Sequence, residues 1–155
     1  LFRSVEYVKM EDLLKFSDIV TLHIPYSNDC YHMFSYEMFK QMKYGSYFIN
    51  VSRGEFVDNE ALLETVKSGK LKGTALDVLA CPQDKKADGS DTLVDITSDK
   101  CIETSDTIKE LAKMPNVILT PHIAYDTQEA VDYILKTTFE SLADFLQGGR
   151  MNRVF

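Results

Sequence analysis

An arginine, an aspartate and a histidine each stand just behind a short apolar, β-rich run. Arg53 follows Phe48-Ile49-Asn50-Val51-Ser52, Asp77 follows Gly73-Thr74-Ala75-Leu76, and His122 follows Val117-Ile118-Leu119-Thr120-Pro121. A fourth run, Val20-Thr21-Leu22-His23-Ile24-Pro25, has the same character. A planar guanidinium grips a carboxylate through two parallel hydrogen bonds and stays charged at any working pH. Histidine titrates near neutral pH, so it can give or take a proton. Together they outline a carboxylate clamp beside an acid/base. The bland readings are a surface arginine in a turn, a structural histidine after proline and a polar strand terminus. Placement favours the sharper one, because in an open parallel α/β sheet ligands bind beyond the carboxyl ends of the strands.

The elements that would position these residues alternate along the chain. Met10 to Phe16 reads as a short helix, followed by a strand from Asp18 to Pro25. Ser35 to Met42 reads as a helix with Ser35 as N-cap, ended by Tyr44-Gly45. A strand from Tyr47 to Val51 leads to Asp58, the N-cap of a helix through Leu62, Leu63 and Val66 that stops at Ser68-Gly69. Gly54 lets the backbone turn closely after Arg53. Thr74 to Leu79 is the next strand, and a helix from Ser105 to Lys113 precedes the strand Val117 to Leu119. Asp126 and Glu129 make a capping-box pattern for a long last helix, with Ala130, Val131, Ile134, Leu135, Thr138, Leu142 and Phe145 on its apolar face and Gly148-Gly149 at its end. This alternation predicts βαβ units, hence an α/β fold with a parallel sheet and right-handed crossovers. From Cys81 to Cys101 the composition turns to Asp, Lys, Ser and Thr, which reads as a long solvated loop beside the cleft.

A chain of 155 residues, 45% of them hydrophobic, can bury one sizeable core. The net charge of −7 argues against nucleic acid as a partner, because phosphate-backbone binding needs a basic face. Apolar runs of strand length fall far short of the roughly 18 residues of a membrane span. No signal peptide is evident, although a start at Leu1 leaves room for a removed leader. Cys30, Cys81 and Cys101 are odd in number and form no C-x-x-C pair, so reduced thiols in the cytoplasm are expected.

Ser17-Asp18-Ile19-Val20-Thr21-Leu22-His23-Ile24-Pro25, Asn50-Val51-Ser52-Arg53-Gly54 with Val57-Asp58, Ala75-Leu76-Asp77-Val78 and Thr120-Pro121-His122 occur in this order over nearly the whole chain. Together they resemble the D-isomer-specific 2-hydroxyacid dehydrogenase family. The run from His122 to Val131 is similar to its D-lactate dehydrogenase branch. The resemblance implies a Rossmann-type sheet, the second half of a doubly wound NAD-binding domain, ending in a long helix. It implies NAD as cofactor and a small 2-keto or 2-hydroxy acid as substrate, with a homodimer for the intact protein. Arg53 matches the arginine that holds the substrate carboxylate and polarises its carbonyl, and His122 matches the acid/base. Ile24, Pro25, Val51, Ser52, Arg53 and Asp77 match positions around the nicotinamide half of the cofactor. His23, inside its strand, and His32, before a helix, are read as structural.

Two departures stand beside these matches. The family's G-x-G-x-x-G fingerprint, which seats pyrophosphate on a helix N-terminus, does not occur in the sequence. Residues 1–149 are therefore expected to form a partial NAD-binding domain without its first strands and glycine-rich loop, and residues 150–155 a tail toward a substrate domain. The strand beginning at Asp18 would then show an unpaired edge. Five positions after Asp77, where the family carries a glutamate hydrogen-bonded to the catalytic histidine, the sequence has Pro82. Proline offers neither a carboxylate nor an N–H. Asp84 or Gln83 could replace it. Three functions remain open: part of an NAD-dependent oxidoreductase of D-2-hydroxy acids, a catalytically impaired or regulatory relative like the corepressor members of this superfamily, and a truncated fragment without activity of its own.

Overall fold

The computed structural model describes residues 5–80 and 105–152. The chain divides into two compact units, 1–122 and 123–155. In the first unit, β1 (Ile19–Leu22), β2 (Ser46–Asn50), β3 (Leu71–Leu76) and β4 (Val117–Leu119) form one all-parallel sheet in that order. Helix α1 (Met10–Phe16) precedes β1, and α2 (Tyr36–Gln41), α3 (Asn59–Lys67) and α4 (Asp106–Ala112) lie between successive strands. The second unit holds α5 (Gln128–Leu146), the long closing helix. The α/β, Rossmann-type parallel sheet expected from the alternation of elements is therefore present.

Strand order follows chain order, so right-handed crossovers carry the connecting helices to one face of the sheet. That face presents Val20, Leu22, Phe48 and Leu76, which share a core with Leu14 of α1, Phe39 of α2, Leu62 and Val66 of α3 and Leu111 of α4. Phe48 is its hub: ring centroids lie 4.7 Å away for Phe34 and 5.1 Å for Phe39, the latter edge-on at 88°. Such tilted contacts suit the aromatic quadrupole better than face-to-face stacking. On the opposite face Ile19, Tyr47 and Ile118 are exposed. Among the described residues β1 pairs only with β2, leaving the free edge that the sequence predicts for the strand beginning near Asp18.

Helix ends follow local chemistry, with some displacement from the expected positions. Asp58 caps α3 by accepting from the N–H groups of Glu60 and Ala61, and Gly69 ends it at φ +73°. Ser105 caps α4 by accepting from Ile108 N–H. Ser35 occupies the N-cap of α2, yet its hydroxyl makes no capping bond. The expected capping box of Asp126 and Glu129 does not form. Asp126 N–H is taken up in a turn by the Ile123 carbonyl, so the extended residue before α5 is Thr127, whose hydroxyl accepts from Ala130 N–H. β3 starts at Leu71 and ends at Leu76 rather than running from Thr74 to Leu79, and β1 ends at Leu22, leaving His23 outside the strand. The expected loop from Cys81 to Cys101, with Pro82, Gln83 and Asp84, lies outside the described residues. Among the described residues no helix is long and apolar enough to cross a membrane.

Candidate active site

Register brings the strand ends together. Leu22, Asn50, Leu76 and Leu119, the last residues of the four strands, are successive pairing partners across the sheet. Whatever follows them leaves the sheet along one edge. Ile24 and Pro25 follow β1, Val51, Ser52 and Arg53 follow β2, Asp77 follows β3, and Thr120 to His122 follow β4. Neighbouring strands lie about 4.8 Å apart, so the ends of β2 and β4 are separated by roughly 10 Å with the end of β3 between them.

The Arg53 turn is held at several points. Ser52 N–H donates to Asn50 Oδ1 at 3.0 Å, Asn50 Nδ2 donates to the Arg53 carbonyl at 2.7 Å, and the Ser52 hydroxyl donates to the Ile24 carbonyl at the end of β1. Arg53 is exposed, and its Nη1 donates to the Ser52 carbonyl at 2.8 Å. Behind it, Gly54 is packed so closely on the Leu79–Ala80 peptide that a Cβ there would overlap backbone atoms of both residues. The reason for glycine is thus space rather than a turn of unusual φ. Asn59 Nδ2 donates to the Ala80 carbonyl at 2.7 Å and fixes that segment.

The His122 end is fixed through Asp77. His122 N–H donates to the Asp77 and Thr120 carbonyls, each at 3.0 Å, and the Thr120 hydroxyl donates to Asp77 Oδ1 at 2.6 Å. Asp77 is 4% exposed, and its own N–H donates to the Asn50 carbonyl at 2.9 Å. His122 sits at φ +56°, a left-handed conformation that few non-glycine residues adopt and that recurs at functional sites. Arg53 and His122 therefore hang on one hydrogen-bonded line running from the β2 turn through Asn50 and Asp77 to the turn after β4.

The other two histidines are placed differently. His23 Nε2 lies 3.0 Å from Thr21 Oγ1 on its own strand end. His32 stacks on Tyr31 with centroids 4.0 Å apart, and its N–H donates to the Glu55 carbonyl. Neither contact joins them to the Arg53–His122 line. Asn50 and Thr120 belong to the matching motifs without a role assigned to them there, and Asn59 lies outside the motifs; all three hold the site through hydrogen bonds. A signal for Asn50 was present: strand alternation places it on the same face as Phe48, where a polar residue needs a reason.

The carboxyl edge suits the nicotinamide half of a dinucleotide. Ile24, 40% exposed, and Pro25 offer an apolar surface, and the buried Asp77 and half-buried Ser52 bring polar groups to the same edge. No G-x-G-x-x-G occurs in the sequence to seat the pyrophosphate.

A parallel Rossmann-type sheet with a guanidinium and an imidazole at its carboxyl edge is the architecture of a nucleotide-binding domain. The chain belongs to the D-isomer specific 2-hydroxyacid dehydrogenase family, whose NAD binding domain matches residues 2–124. It is 39% identical over 145 residues to a D-specific alpha-keto acid dehydrogenase of Enterococcus faecium, covering 92% of this chain and 42% of that one. It is 37% identical over 141 residues to an aromatic 2-oxoacid reductase of Clostridium sporogenes, covering 91% of this chain and 40% of the relative. Among solved structures, the NAD-complexed D-isomer specific 2-hydroxyacid dehydrogenase of Lactobacillus delbrueckii ssp. bulgaricus superposes with a TM-score of 0.77 at 33% identity, over 97% of this chain and 43% of that one. The chain spans about two fifths of the length of these curated relatives.

Proposed function

We propose that this chain is part of an NAD-dependent oxidoreductase that interconverts a small 2-keto acid and the corresponding D-2-hydroxy acid. The observation that carries this reading is the tethering of Arg53 and His122 to one line of hydrogen bonds at the carboxyl edge. NAD, when bound, supplies or accepts the hydride. Arg53 leaves the Ser52 carbonyl and closes two parallel N–H···O bonds on the substrate carboxylate, drawing electron density from the adjacent carbonyl. His122 donates a ring proton to that carbonyl oxygen as the alkoxide develops, and takes it back in the reverse direction. Ile24, Pro25, Val51, Ser52, Arg53 and Asp77 face the nicotinamide end of the cofactor. The relatives act on lactate, alpha-keto acids or aromatic 2-oxoacids according to their names, so the shared chemistry is the 2-oxo carboxylate. A homodimer in the cytoplasm completes this reading, and light scattering on the intact protein tests the dimer.

The decisive experiment is NADH oxidation by the full-length protein against a panel of 2-keto acids. Saturable turnover supports the reading; an NADH-binding protein inert to the whole panel overturns it in favour of a regulatory relative. Pro82 at the glutamate position speaks for that second reading. Under it, Pro82→Glu creates or markedly raises turnover. Arg53→Lys separates clamp from scaffold. A single ammonium cannot reproduce a bidentate grip, and imperfect pairing of such a charge costs about 2–5 kcal/mol, so kcat/KM falls at least about 30-fold. An Arg53→Lys enzyme with unchanged KM for the keto acid would remove Arg53 from the clamp.

A further inference from the structure

Asn50 breaks a row of leucines. Leu22, Asn50, Leu76 and Leu119 are register partners across the four strands and share the helix-covered face of the sheet. Leu22 and Leu76 are buried, and Asn50 is 0% exposed between them. An amide in such a place is costly unless both of its ends find partners, whereas leucine would simply pack. Both ends do find partners, and neither partner is in the sheet. The two bonds go forward along the chain, to Ser52 N–H and to the Arg53 carbonyl.

These two partners bracket one peptide unit. Asn50 Oδ1 holds the nitrogen side of Ser52, and Asn50 Nδ2 holds the carbonyl side of Arg53. The Ser52 hydroxyl is tied to Ile24 and the Ser52 carbonyl to the guanidinium, so every polar group of Ser52 is engaged. The backbone of Asn50 reaches the other way, its carbonyl accepting from Asp77 N–H, while the Asp77 carbonyl accepts from His122 N–H. One residue therefore fixes the arginine turn with its side chain and bonds, through its main chain, to the segment that fixes the histidine.

We propose that Asn50 is a positioning residue that sets Arg53 relative to His122, so that the guanidinium meets a substrate carboxylate while His122 meets the neighbouring carbonyl. The proposal rests on the oxidoreductase reading above. It explains why the row keeps an amide where a leucine would fit: the geometry of the clamp is set from beneath, by a group that never touches substrate.

Asn50→Ser and Asn50→Asp test it in the full-length protein. A serine hydroxyl still accepts from Ser52 N–H in a local turn and is too short to reach the Arg53 carbonyl, while aspartate keeps the acceptor and places an oxygen against that carbonyl. The probe is oxamate, a non-reacting 2-oxo carboxylate analogue, titrated into the NADH-loaded protein by quenching of nicotinamide fluorescence. Oxamate binding is expected to weaken at least about tenfold in the folded variants, with NADH affinity within about twofold of the parent. A purely structural role would lower the folded fraction without separating the two affinities. Unchanged oxamate binding in a folded variant overturns the proposal.

Amide hydrogen exchange supplies an arm that needs neither turnover nor oxamate. Ser52 N–H is expected to be protected in the parent protein and, because serine and aspartate both keep an acceptor for it, to stay protected in the variants along with Phe48 and Ile49. Free exchange of Ser52 N–H in the parent overturns the hold of Asn50 on the arginine turn even if no variant folds. A parent that fails to bind oxamate yet shows protected Ser52 sinks the oxidoreductase reading and leaves the hold of Asn50 on the arginine turn standing.

Discussion

Replacing His122 with asparagine lowers kcat of the full-length protein by about 10²–10⁴-fold, the usual contribution of a positioned acid/base, with the fold intact. Asparagine is the informative choice because His122 sits at φ +56°, where asparagine is among the few residues that are comfortable. The bonds that hold this turn, from His122 N–H to the Asp77 and Thr120 carbonyls, are main-chain and survive the substitution. What is removed is the ring alone. An alanine at the same place adds backbone strain to the loss of the ring and confounds the two. KM for the keto acid should move much less than kcat, because the carboxylate still meets Arg53 and the missing interaction develops only as the carbonyl oxygen gains charge. The measurement is steady-state NADH oxidation with thermal melting of both proteins. An asparagine variant that melts with the parent and keeps kcat within about threefold takes His122 out of the chemistry.

The candidate site residues stand out in the sequence because their types are rare at the ends of apolar runs. Arg53, Asp77 and His122 follow apolar, β-rich stretches, and the register of the four strands brings the ends of those stretches to one edge. Helix starts were legible where a side chain caps, as at Asp58 and Ser105, and slipped where the backbone competes. Asp126 is a good cap by residue type, yet the turn from Ile123 consumes its N–H and passes the role to Thr127. Strand ends slipped for a related reason. Val51 and Val78 are good β-formers, but pairing stops at Asn50 and Leu76, because the chain leaves the sheet where the Asn50 and Asp77 bonds bend it. Least legible were contacts between segments distant in sequence, such as Asn59 to Ala80 and Gly54 to Leu79, since nothing in either segment names the other.

That last contact predicts the largest loss of stability. Gly54→Ala should lower the unfolding free energy by about 3–5 kcal/mol, from overpacking against a rigid neighbour together with the loss of a buried hydrogen bond. The atoms in the way are the Leu79 carbonyl group and the Ala80 nitrogen, all backbone, so no rotamer change can make room. The segment cannot slide aside freely either. It is pinned upstream by Asp77 N–H on the Asn50 carbonyl and downstream by Asn59 Nδ2 on the Ala80 carbonyl. If Ala80 moves, Asn59 loses its bond, and its Oδ1 already has no partner among the described residues. If the Gly54 side moves instead, Arg53 moves with it and the carboxylate clamp opens, so activity falls along with stability. Gly45→Ala provides the contrast. Gly45 has φ +78° and open space around its Cβ position, so alanine there meets only left-handed strain of about 1–2 kcal/mol. Urea unfolding of the two variants beside the parent separates the causes. A Gly54→Ala midpoint at or above that of Gly45→Ala would mean that the Leu79–Ala80 peptide yields, and the close packing of the arginine turn against the exit of β3 would lose its claim to hold the site.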